Sequence, residues 1–135
     1  MGAAENKLLF QRVFAELSVG DSRPFAAILS EDIRWTVIGT TRHSGTYEGK
    51  QHVLHELMAS VMSRIVDHIA VTPHRFIADD DYVVVEFSGK ATTRDGKSYN
   101  NTYCWIHRVA DGQVVEVTEY LDTELVTSVF GKTES

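Results

Sequence analysis

Residues 95–123 read DGKSYNNTYCWIHRVADGQVVEVTEYLDT, and the pattern of this stretch decides the fold. Asp95-Gly96 and Asp111-Gly112 are hairpin signals, because the two central residues of a tight primed turn need positive φ. Around them lie two runs rich in β-branched and aromatic residues, which predict strands over 98–109 and 113–121. Side chains alternate across a strand, so Tyr99, Asn101, Tyr103 and Trp105 share one face. Asn100, Thr102, Cys104 and Ile106 share the other. On the second strand Val115, Val117, Glu119 and Leu121 share a face. Three of these four are apolar, so the face is expected to be buried, with Glu119 as its exception. Asp122 or Thr123 then caps a terminal helix carrying Leu125, Val126 and Val129.

Upstream, residues 5–19 place Leu8, Leu9, Val13, Phe14 and Leu17 at helical spacing, and Gly20 ends the run. Asp21 or Ser22 caps a second, short helix that turns Phe25, Ile28 and Leu29 inward. A short strand over 33–38 contains Trp35 and Val37. Residues 39–49 are rich in Gly, Thr and Ser and read as a loop. Helical period returns over 50–65, with Val53, Leu54, Leu57, Met58, Val61 and Ile65 as its stripe. Residues 67–78 alternate, but Pro73 confines them to an edge strand or a bulge. Asp79-Asp80-Asp81 is a turn, and 82–93 is a further strand. Helices first and a meander of strands afterwards define an α+β class. The expected form is a single domain over 1–135, with the N-terminal helices packed on a strongly curved, mostly antiparallel sheet. Such a cone leaves room for an internal pocket.

Composition narrows the function. The 135 residues carry nineteen acids and thirteen bases, a formal charge of -6. Counterion displacement from nucleic acid needs a basic surface, so no nucleic-acid partner is expected. No apolar stretch has the length to span a membrane, and no signal peptide pattern opens the chain. The single cysteine, Cys104, forms no internal disulfide, which favours a cytoplasmic location.

The order of elements, together with Gly20-Asp21, Glu31-Asp32-Ile33, Gly45 and Gly49, Asp111-Gly112-Gln113-Val114 and Glu119-Tyr120-Leu121-Asp122-Thr123, resembles the nuclear transport factor 2-like superfamily. Its SnoaL-like, ketosteroid-isomerase-related group is the most similar, and the resemblance runs from Glu5 to Phe130. That superfamily holds isomerases, cyclases, hydrolases, dehydratases and transport factors, so fold alone does not choose among them. Ketosteroid isomerases need a carboxylate base and an oxyanion hole of Tyr and protonated Asp. The resemblance puts Val13 at the tyrosine, Val37 or Thr36 at the base, and Trp105 at or near the aspartate. The isomerase triad is therefore absent. Polyketide cyclases and limonene epoxide hydrolase carry an acid on the last strand, and that position resembles Glu119. The arginine between two acids that the hydrolase needs is not found.

By the same resemblance Tyr99, Asn101, Tyr103 and Trp105 face the cavity. A carboxylate among Val, Leu, Tyr and Trp has its charged form disfavoured, which is how general acids and bases are made. Glu119 is thus the expected catalytic residue, unless it serves only to accept hydrogen bonds that staple the sheet. Tyr99, Asn101 and Tyr103 would orient a substrate, and Trp35, Trp105, Val117 and Leu121 would wall the site. Tyr103 and Trp105 also read as cross-strand aromatic pairs, and Trp35 also reads as core. His43 lies in the 39–49 loop that would cover the cavity's mouth, and His107, past Trp105, reads as a rim residue; both are further acid–base candidates. His52 and His55 lie three apart on a solvated helix face, without an acid partner at ligand spacing. No metal and no cofactor are expected. The expected partner is a small, largely apolar, oxygen-bearing molecule. The outer sheet face, with Thr102, Cys104, Ile106, Val114, Thr118 and Tyr120, is expected to form a homodimer as in related proteins. The expected chemistry is cofactor-free proton transfer; the alternatives are a non-catalytic ligand-binding domain and a dimeric interaction module.

Overall fold

The structure, a computed structural model, describes residues 2–132. Helix α1 spans Ala3–Ser18 and α2 spans Arg23–Ala27. Strand β1 (Leu29–Val37) and the short β2 (Gly45–Glu48) follow. A helical stretch comes next, built from α3 (Lys50–His52), a π-helical segment (Val53–Met58) and α4 (Ala59–Met62). Strands β3 (Ala70–Asp79), β4 (Tyr82–Lys90), β5 (Asn101–Ala110) and β6 (Gln113–Leu121) lead to α5 (Thr123–Phe130).

All six strands form one sheet in the order β2-β1-β6-β5-β4-β3. Only β1 and β6 pair in parallel; every other neighbour is antiparallel. The helices and the curled sheet make the α+β cone that the element order predicts. Pro73 sits on β3 at the edge of the sheet, beside a register shift between Pro73 and Arg75. That is where a residue without an N–H is tolerated. Asp111 and Gly112, with φ of 52° and 75°, make the turn between β5 and β6.

Residues 39–49 are not all loop. Thr46 and Tyr47 pair with Thr36 and Trp35, and β2 exists because β1 supplies its ladder. On α1 the buried positions are Asn6, Phe10, Val13 and Phe14, whereas Leu8 is 50% exposed. The buried stripe is therefore rotated from the one that Leu8 and Leu9 suggest. Strand β5 begins at Asn101, so Tyr99 precedes the ladder and bonds its amide to the Ala91 carbonyl. A bulge leaves Val115 without a partner, since Arg108 pairs Glu116 while Val109 pairs Val114. One extra residue reverses the alternation, and Val114 turns into the core instead of onto the outer face.

Two apolar clusters fill the cone. The larger packs Phe10, Val13 and Phe14 of α1 with Phe25 onto Leu29, Ile33 and Trp35 and onto the inner faces of β4 to β6. The smaller holds Ile65, Tyr99, Val126, Val129 and Phe130 beneath α5. Asp122 caps α5: its Oδ1 accepts from the Leu125 amide at 3.1 Å. Replacing it with Ala is expected to cost about 1 kcal/mol, read as a lower urea midpoint. An unchanged midpoint would show that α5 is held by packing alone.

Candidate active site

The cavity lies between the helices and the concave side of the sheet, with a volume of about 330 Å³. Glu119 reaches it because β6 runs between β1 and β5, with Glu119 opposite Val37 on one side and Trp105 on the other. The residue is 8% exposed. Its Oε1 accepts from the Trp35 indole N–H at 3.0 Å. The Trp105 indole N–H also favours the ionised carboxylate but makes no hydrogen bond of ordinary geometry. Burial outweighs both indoles and pushes the Glu119 carboxyl above the usual carboxylate range.

Aromatic packing fixes this end of the cavity. The Trp35 and Trp105 rings meet edge to face with centroids 4.8 Å apart, and Trp105 meets Phe87 at the same distance. Phe87 stacks on Tyr103 at 4.8 Å. Gly89 makes room for Tyr103: a Cβ there would stand 3.2 Å from its ring and 2.6 Å from Ile69. The phenols of Tyr99 and Tyr103 are both held above their ordinary pKa, chiefly by burial, so they stay protonated donors.

Six of the residues named from sequence line this one cavity: Trp35, Tyr99, Tyr103, Trp105, Glu119 and Leu121. Two do not. Val117 is buried in the larger core cluster. Asn101 spends its side chain on the backbone, accepting from the amides of Thr102 (2.7 Å) and Asp122 (3.0 Å) and donating to the Asp122 carbonyl and the Tyr99 hydroxyl. It clamps β5 to the start of α5. His107 is not at a rim either. It is fully buried against Phe10 at 4.3 Å, with Nδ1 on the Val83 carbonyl.

His43 does line the cavity, with Thr41 beside it. The wall that the sequence hid comes from 50–62: Leu54, Leu57, Met58, Val61 and Met62. Its apolar stripe has the same period as a core-facing helix, so periodicity alone does not separate cavity from core. The π-helical segment supplies part of that wall, and such segments recur at functional sites. Among the described residues, no three His, Cys, Asp or Glu side chains gather to hold a metal ion. None of the described helices is long and apolar enough to cross a membrane.

A cone of helices on a curled, mostly antiparallel sheet is the architecture of nuclear transport factor 2-like proteins. A protein of unknown function from Burkholderia pseudomallei in that class shares it, at 21% identity over 92% of this chain and 95% of that one, with a TM-score of 0.78. A Bacillus subtilis protein proposed to be an isomerase matches at 20% identity over all of both chains, with a TM-score of 0.76. TerC, co-crystallised with polyporic acid, matches at 20% identity over 92% of this chain and 96% of its own, with a TM-score of 0.75. At these identities the likeness is one of fold. No curated protein matches the chain. Residues 10–117 match the SnoaL-like domain, and the chain belongs to that family.

Proposed function

We propose that this protein is a cofactor-free acid–base catalyst acting on a small, largely apolar, oxygen-bearing molecule, with Glu119 moving the proton. One observation carries the reading: among the described residues a single buried carboxyl, its pKa raised, opens into a largely apolar and aromatic cavity. An acid placed there only to staple the sheet would spend both oxygens on the protein, yet among the described residues one hydrogen bond of ordinary geometry reaches this carboxylate, from Trp35. Tyr99 and Tyr103 supply protonated hydroxyls that would orient a carbonyl or hydroxyl group. The apolar face of 50–62 would take the hydrocarbon part of the ligand. This arrangement suits isomerisation, cyclisation, dehydration or hydrolysis. That TerC was co-crystallised with polyporic acid, and that a neighbour is proposed to be an isomerase, agrees with such a use of the fold.

The outer sheet face would pair two copies of the chain. Tyr120 is 42% exposed there, beside the half-buried Cys104 and Ile106.

2-Tetralone, an apolar bicyclic ketone with an acidic C–H, tests the catalytic reading directly. The chain's two tryptophans both line the cavity, so their emission reports occupancy. The ketone is expected to quench that emission saturably, and the protein to exchange its α-protons for deuterium faster than buffer does. Binding without exchange would make this a ligand carrier. Neither binding nor exchange would favour an interaction module.

A further inference from the structure

Glu119 is a buried acid with no cation to answer it. Among the described residues five carboxylates pair with Arg or Lys, those of Asp21, Glu48, Glu86, Asp95 and Glu116, and all five keep contact with water. Glu119 is 8% exposed, and what acts on its carboxyl is burial and the indoles of Trp35 and Trp105, with no Arg, Lys or His among them. Two imidazoles line the same cavity without supplying the charge. Burial, then Arg42 and Arg64, lower the His43 pKa, so that ring stays neutral. His68 stands exposed beside Gly20. The Trp35 indole takes Oε1, whereas Oε2 makes no hydrogen bond of ordinary geometry and is not among the sealed, unpartnered atoms. An ionised carboxylate taken out of water is costly until a positive charge is placed beside it.

The groups around this carboxyl are aromatic. Trp105 stands directly opposite Glu119 across the β5–β6 pair, where facing side chains are nearest neighbours. Its ring plane is crossed by Trp35 at 83°, Phe87 at 86° and Tyr103 at 72°, with centroids 4.8, 4.8 and 6.2 Å away. Trp35 is wholly covered and serves to hold the carboxyl. Trp105 is half-buried and Tyr103 is 7% exposed, and both line the cavity. The face of an indole or phenol ring is electron-rich, so it attracts a cation more than a neutral group of the same shape. Carboxylate and rings therefore favour the same thing, a positive charge that the protein does not place there.

The remainder of the wall sets the body of the ligand. Leu54, Leu57, Met58, Val61 and Met62 offer hydrocarbon and thioether surface and no charge. A cavity of about 330 Å³ lies at the small end of the range for organic ligands, which suits a skeleton of one or two rings.

We propose that the cavity is also a receptor for a lipophilic ammonium ion, a one- or two-ring amine whose charged nitrogen pairs with Glu119 Oε2 beside the Trp105 ring. This goes beyond the proton-transfer reading and does not need it. The two meet at one point: an ammonium ion there engages the carboxylate that proton transfer uses, so such an amine would also inhibit exchange.

The test compares three ligands of one skeleton at pH 8 by quenching of tryptophan emission: tetralin, 2-tetralol and 2-aminotetralin, which is a cation at that pH. The amine is expected to bind roughly 30-fold more tightly than either neutral compound. In Glu119→Gln, which keeps the shape of the side chain and removes its charge, the amine is expected to lose at least about tenfold while tetralin binds as before. If 2-tetralol binds the wild type as tightly as the amine, hydrogen bonding alone explains the affinity and the proposal falls. An amine affinity that Glu119→Gln leaves intact overturns it as well. Should the variant not fold, the order of the three ligands on the wild type decides. The two readings of Glu119 fail separately. Exchange of 2-tetralone with no preference for the amine sinks the ammonium site and leaves proton transfer standing; preference for the amine with no exchange does the reverse.

Discussion

Taking the protein from pH 7 to pH 4 is expected to remove about 3 kcal/mol of folding stability through one side chain, His107. The imidazole is fully buried among the rings of Phe10, Phe14, Phe25 and Trp105. That burial lowers its pKa from the ordinary 6.5 to about 4, against a smaller upward pull from the hydrogen bond to Val83. No carboxylate contributes. The sign follows from comparing states. Above pH 6.5 the ring is neutral whether the chain is folded or not, and stability does not depend on its titration. Between 6.5 and about 4 the unfolded chain binds a proton that the folded one refuses, so stability falls as pH falls. Below that window the loss is complete. His43, whose pKa is also lowered, acts in the same direction, and Glu119, whose pKa is raised, acts oppositely. The clean measurement is therefore a difference: urea unfolding of the wild type and His107→Gln at pH 7, 6, 5 and 4. The variant should gain on the wild type by about 3 kcal/mol across the series. A gap that does not change with pH would mean that His107 titrates normally in the folded protein.

His107 also shows where strand alternation stops being informative. Alternation places it on the same side of β5 as Tyr103 and Trp105, and that is where it lies. What alternation omits is what covers each position. Phe10 and Phe14 of α1 close over the His107 end, while the Trp105 and Tyr103 end stays open beneath 50–62. Glu119 was legible because a lone acid in a run of Val and Leu is conspicuous at period two. Asn101 was not, because its hydrogen bonds to Asp122 join residues 21 apart in sequence. Val114 was lost to the bulge, which follows from the mismatch between two ladders rather than from its own residue type. The strand β2 was hidden by loop-like composition, since four residues with Gly and Thr hold together only when β1 lies beside them. In the fold as a whole, hairpin turns, helix caps and the edge proline were readable because each is a local conformational demand. The cavity was less so, since its apolar wall obeys the same helical period as a packed core.

Replacing Glu119 with Gln is expected to lower α-proton exchange of 2-tetralone by about 10²-fold or more, and at the same time to make the protein more stable at neutral pH. The two effects share one cause. A carboxyl surrounded by Trp35, Val37, Trp105 and Leu121 is held in an environment that opposes its charge, and burial is the largest influence on its pKa. In the unfolded chain it ionises in the ordinary carboxylate range; in the folded protein it ionises only at higher pH. Below the ordinary range both states are neutral and the folded state bears no penalty. As pH rises through and past that range, the unfolded state sheds its proton more readily, and stability is lost until the folded carboxyl has ionised too. Gln has no such titration, and its side-chain carbonyl still accepts the Trp35 indole N–H that Glu119 accepts at 3.0 Å. Wild type and variant should therefore unfold alike at pH 4 and diverge by pH 8, with the variant the more stable. Equal stability at both pH values would mean that the carboxylate is solvated, and full exchange activity in the variant would remove Glu119 from the reaction. A residue that destabilises the fold while being required for turnover is retained for its chemistry, since a staple would be improved by the same replacement that a catalyst cannot survive.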